Sequence, residues 1–73
     1  MKRLPAISAT RVIEKLLKAG FRKERQRGSH VVLKNDDNRI VVVPVHKGEL
    51  IDRSLLMRIL GESGLTRDEF LAL

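Results

Sequence analysis

The sequence contains no cysteine. That excludes disulfide staples, thiolate metal sites and thiol nucleophiles, and it suits a reducing cytoplasm. Tryptophan and tyrosine are missing too, and Phe21 and Phe70 are the two aromatic residues. The core must therefore be built from Leu, Ile and Val. Base stacking on aromatic rings is excluded as the main way of holding a nucleic acid. No apolar run approaches the roughly 18 residues that a membrane span needs. The opening MKRLPAIS is basic but has no apolar signal-peptide stretch, so a cytoplasmic protein without membrane attachment is expected.

Histidine is scarce as well, with His30 and His46 alone. The acids are scattered, apart from Asp36-Asp37 and Asp68-Glu69. Neither pair looks like a dedicated metal cage, so no metal site is expected. There is no P-loop, no Rossmann glycine pattern and no nucleophile elbow, and no cofactor is expected.

What is present is basic charge, unevenly placed. The chain of 73 residues carries a formal net charge of +6. Residues 1–34 hold ten Lys/Arg against Glu14 and Glu24, while residues 35–73 hold five Lys/Arg against seven acids. The positive field peaks at RKERQR, Arg22 to Arg27. Such a field attracts polyanions, either nucleic acid or an acidic protein. A lone charge run is more often a solvated surface. The length fits one domain, 1–73, and a hydrophobic share of 42% is enough for a core.

The pattern predicts an α+β chain. Ser8 reads as the N-cap of a helix from Ala9 to Ala19, with apolar residues at 9, 12, 13, 16 and 17, and Gly20 as its stop. Phe21 to Gln26 reads as a weak strand, Arg27-Gly28 as a tight turn, and Ser29 to Lys34 as a second strand. Asn35 to Asn38 is a dense turn signal. Ile40 to Val45 is almost continuously apolar, which predicts a central strand buried on both faces. Pro44 then belongs near its end. His46 to Glu49 reads as a loop. Asp52 caps a second helix through about Glu62, with Leu55, Leu56, Ile59 and Leu60 inward and Gly64 as its end. Thr66 and Glu69 form a capping box for a short third helix. The expected architecture is a three-stranded antiparallel sheet covered on one face by helices, in the order of the double-stranded-RNA-binding fold.

One group stands out chemically. His30 can exchange a proton near neutral pH. RNA brings its own nucleophile, the 2′-hydroxyl, so cleavage needs a base near that hydroxyl and positive charge near the phosphate. Arg25, Arg27 and Lys34 lie close in sequence, and period-2 alternation puts His30 and Lys34 on one strand face. Ser29 and His30 point to opposite faces, which argues against a serine hydrolase. The ordinary alternative for His30 is a half-exposed strand residue, and for His46 a loop ring bonded to backbone. Ser29 reads as closing the turn and Gly28 as supplying a positive φ.

Three stretches decide between these readings: KAGF (Lys18 to Phe21), RQRGSHVVL (Arg25 to Leu33) and VPVHKGEL (Val43 to Leu50). SLLMRIL and GLTRDEFL follow at Ser54 to Leu60 and Gly64 to Leu71. With these, nearly the whole chain resembles the HicA toxins, the YcfA-like mRNA interferases of bacterial toxin–antitoxin modules. The resemblance implies a double-stranded-RNA-binding-like fold that cleaves mRNA and arrests translation. It implies that the histidine of the GSH element, His30, is catalytic. It also implies a HicB-type antitoxin, an acidic protein with a DNA-binding segment, which covers the active site in a hetero-oligomer. Arg25, Arg27, Ser29, Lys34 and Lys47 are the expected RNA contacts. Lys34, His46 and Lys47 are candidate second proton carriers on chemical grounds, His46 foremost. A non-catalytic RNA-binding module of the same fold, and a pure protein-interaction subunit, are the competing readings.

Overall fold

Ser8 and Asp52 begin the two longer helices in the same way. Each has extended backbone, and each side chain accepts from the amide three residues on, Arg11 N at 3.2 Å and Leu55 N at 2.8 Å. These bonds satisfy amides that a helix start leaves without partners. The computed structural model describes Leu4, residues 6–46 and residues 50–73. The elements are β1 (Ile7–Ser8), α1 (Ala9–Lys18), β2 (Arg22–Arg27), β3 (His30–Lys34), β4 (Ile40–Pro44), β5 (Leu50–Ile51), α2 (Arg53–Ser63) and α3 (Arg67–Ala72). Gly20 and Gly64 follow the ends of α1 and α2 with φ of 99° and 78°, a region glycine enters without steric cost. The capping box of α3 is complete, since Thr66 Oγ1 accepts from Glu69 N while Glu69 Oε1 accepts from Thr66 N.

β2, β3 and β4 form an antiparallel sheet in that order. Directly opposed residues share a face of an antiparallel sheet. One face carries Val31, Leu33, Val41 and Val43, all buried. Val12 and Leu16 of α1, Leu56, Ile59 and Leu60 of α2, and Phe70 of α3 complete the same core. Burying each of these side chains contributes roughly 1.5–3 kcal/mol. The helices thus cover one face, and the architecture is the α+β, double-stranded-RNA-binding-like arrangement.

Several details differ from the sequence reading. β4 is an edge strand, not a central one, and its residues alternate between buried and part-exposed. Its run of valines is misleading because Val42 lies on the uncovered face and is only part-buried. β3, with its polar ends, is the central strand. The tight turn is Gly28-Ser29, one residue later than expected, with Arg27 and His30 as the first opposed pair. Phe21 precedes the strand and is buried in the core. α1 ends at Lys18, and Leu17 is exposed rather than on the inner stripe. A second small sheet pairs β1 with β5, Ile7 with Ile51 and Ser8 with Leu50. It joins the starts of α1 and α2. Among the described residues, no helix is long and apolar enough to cross a membrane.

Candidate functional site

The uncovered face of the sheet consists of three cross-strand rows. Arg27, His30 and Pro44 form the first, at the Gly28-Ser29 turn. Arg25, Val32 and Val42 form the second. Arg22, Lys34 and Ile40 form the third. Every row thus has a basic residue on β2 and an apolar one on β4, with His30 and Lys34 between them in the outer rows.

Strict alternation would not produce these rows. It would set Arg22 on the opposite face from Arg25 and Arg27. A β-bulge at Glu24 breaks the register between Lys23 and Arg25. The extra residue brings Arg22, Arg25 and Arg27 to one side and sends Lys23 and Gln26 to the other, where Lys23 Nζ donates to Gln26 Oε1 at 2.9 Å.

His30 is exposed at the first position of β3. The turn beside it begins with Gly28 at φ 55°. A two-residue hairpin with positive φ at its first central position is a glycine turn of type II′, whose twist matches the strands. Gln26 Nε2 donates to the Gly28 carbonyl at 3.1 Å and braces the turn. Ser29 is half-buried, and its carbonyl accepts from Val45 N, which extends the β3–β4 ladder past Pro44. His30 and Pro44 are consequently a non-hydrogen-bonded pair, the type in which side chains approach most closely, with Cα atoms about 4.5 Å apart. Pro44 lacks an N–H at a position that points away from β3, so the ladder loses nothing.

Arg25 and Arg27 are exposed and form no ion pair with the described residues. Arg22 Nη1 donates to Asp36 Oδ1 at 2.9 Å, which ties that cation to the β3–β4 turn. The free positive charge of the face therefore concentrates beside His30.

Lys34 shares the face with His30 but lies four residues along the strand, about 13 Å away at ~3.3 Å per residue. That separation suits a neighbouring phosphate and not a proton transfer at the same one. His46 is exposed just beyond Val45, at the His30 end of the sheet. The structure brings His30, Arg27, Arg25, Ser29 and His46 to one end. Lys47 lies outside the described residues.

Beside Pro44 a cavity of about 120 Å³ is lined by Pro44, His46, Leu50, Ile51, Asp52 and Leu55. Sequence reasoning did not find it. It exists because the β1–β5 pair and the Asp52 cap hold the start of α2 against the end of β4.

A comparison with curated proteins finds no match. Residues 9–65, from the first residue of α1 to just past α2, match the family described as HicA toxin of bacterial toxin-antitoxin, and the chain belongs to that family.

Proposed function

We propose that this toxin is a metal-independent endoribonuclease that cuts mRNA, with His30 as its catalytic residue. The observation that carries this reading is the Arg27–His30 pair, set across a tight turn on the sheet face that no helix covers. RNA supplies the attacking oxygen. His30 takes the proton of the 2′-hydroxyl, the O2′–P bond forms, and the P–O5′ bond breaks. Arg27 and Arg25 hold the negative charge that grows on the phosphoryl oxygens. His46 delivers a proton to the departing 5′-oxygen, a role that its place at the His30 end of the sheet supports. Ser29, Lys34 and Lys47 bind the strand on either side of the cut.

Membership of a toxin-antitoxin family supports an antitoxin as the partner. An acidic HicB-type antitoxin with a DNA-binding segment covers the Arg25–Arg27–His30 face and neutralises the toxin in a hetero-oligomer. The free cations of that face suit a carboxylate-bearing surface as well as a phosphate chain. Its place of action is the cytoplasm, where mRNA is translated.

The test is cleavage of RNA in EDTA by the wild type and by His30→Ala, with the product ends identified. Cleavage by the wild type alone, leaving 2′,3′-cyclic phosphate and 5′-hydroxyl ends, is expected. Cleavage retained by the pure variant removes His30 from the mechanism. A folded wild type that binds RNA without cutting it makes the chain a binding module.

A further inference from the structure

The cavity beside Pro44 has aliphatic walls and a carboxylate, Asp52, that the cleavage step leaves unused. Pro44 stands opposite His30 and also forms one wall of the cavity. A strand of RNA whose scissile phosphate sits at His30 therefore has its neighbouring nucleotide within one residue's width of the opening. Cavities of about 150 Å³ admit a benzene ring. At about 120 Å³ and partly open to solvent, this one takes the edge of a base's six-membered ring and leaves the rest outside.

The lining matches that occupant. Pro44, Leu50, Ile51 and Leu55 offer aliphatic walls to the faces of a planar ring. Leu50 is 63% exposed, a large apolar surface that nothing in the described fold covers. Asp52 is the acidic member of the lining. Its Oδ1 accepts from Leu55 N, and its second oxygen is unused by that cap. A carboxylate only accepts, so it favours an exocyclic amino group; uracil's one edge donor, N3–H, is flanked by two carbonyl oxygens that a carboxylate repels. It also repels phosphate, which makes the cavity a site for a base and not for the backbone.

We propose that this cavity binds the nucleobase next to the cut and prefers bases with an exocyclic amino group, adenine, cytosine or guanine, over uracil, through Asp52. The proposal rests on RNA being the substrate and adds a point of sequence preference to it. Aliphatic walls replace the aromatic platforms that the sequence lacks.

The experiment uses the full chain and has two arms. In the first, wild type and Asp52→Asn cut a random RNA pool and the new ends are sequenced. Asparagine still caps a helix, so α2 is retained, but its amide presents a donor where the carboxylate had none. The wild type is expected to disfavour uracil at one position beside the cut by roughly fivefold, the effect of about one hydrogen bond. Asp52→Asn is expected to lose or reverse that preference. Equal base distributions for the two proteins overturn the proposal while leaving the nuclease reading intact. In the second arm, His30→Ala binds short RNAs that differ at a single base. A roughly fivefold discrimination against uracil, abolished by adding Asp52→Asn, supports the cavity even where the wild type cuts nothing. Equal affinity for all four bases overturns it.

Discussion

Arg27 and His30 face each other across the Gly28-Ser29 turn, the first opposed pair of the β2–β3 hairpin. Both are exposed, and neither is needed for the core. The backbone ladder sets their Cα atoms opposite each other, so both side chains start from one edge of the uncovered face.

The face assignment can be tested by comparing two single-charge deletions. Arg27→Ala is expected to lower kcat/KM for RNA cleavage about a hundredfold, the scale of removing one group that stabilises transition-state charge. Lys23→Ala removes the same charge from the opposite face and is expected to cost less than about threefold, in line with long-range screening. Both variants should keep their stability within about 0.5 kcal/mol, as exposed substitutions do. Equal losses of activity would mean that only total charge matters and that the three-row face has no catalytic geometry.

Lys15 is expected to be a determinant of stability rather than of activity. Its side chain is buried, and Nζ donates to the carbonyls of Phe70 at 3.2 Å and Leu73 at 2.9 Å. The amine also lies 5.2 Å from the centre of the Phe70 ring. A cation there satisfies the last carbonyls of α3 and interacts favourably with its negative end and with the ring face. Lys15→Met keeps the aliphatic stem and deletes the donor. The expected loss is about 2 kcal/mol, read from the urea midpoint at unchanged slope. An unchanged midpoint would show that water replaces the amine at no cost.

Glu69 gives α3 a defined acid limb. The Thr66 backbone amide, with help from the Thr66 hydroxyl, holds the Glu69 carboxyl below the usual carboxylate range. A carboxylate depressed on folding contributes stability that is fully present above its unfolded pKa. That contribution is lost as pH falls through the lower, folded value. Helix α3 should therefore loosen at a pH below the ordinary glutamate range. Glu69→Gln keeps an acceptor for the capping box but does not titrate. Amide exchange over residues 67–72 as a function of pH should show the acid-induced opening in the wild type and a flatter profile in the variant. Identical profiles would place the acid sensitivity elsewhere.

The helices were legible because their signals are local. Ser8, Asp52 and Thr66 cap as expected, and Gly20 and Gly64 stop α1 and α2 as expected. A cap is a bond between residues three apart, so nearby sequence contains all of it. The alternation of His30, Val31, Val32, Leu33 and Lys34 was also readable, and it placed His30 and Lys34 on the same face. Distance along the strand, which separates Lys34 from the His30 end, follows directly once the strand is known.

Strand order was harder. Val41, Val42 and Val43 look central, yet β4 is at the edge. Apolar content cannot distinguish a strand covered on both faces from one whose outer valine is sheltered by neighbours. Arg58 Nη2 donates to the Val42 carbonyl at 3.3 Å and so occupies part of that edge. Lys15 was equally hidden. It sits on the apolar side of α1, and nothing nearby in sequence reveals carbonyls more than fifty residues away.

The sequence by itself determined the helices, the hairpin signals, the basic first half and the family resemblance, because each is written in neighbouring residues. The tertiary structure decided which charges lie together. The bulge at Glu24, the pairing of His30 with Pro44, and the cavity between β4 and α2 depend on how separate strands and helices meet. Such contacts are set by register and packing, which have no counterpart in local composition.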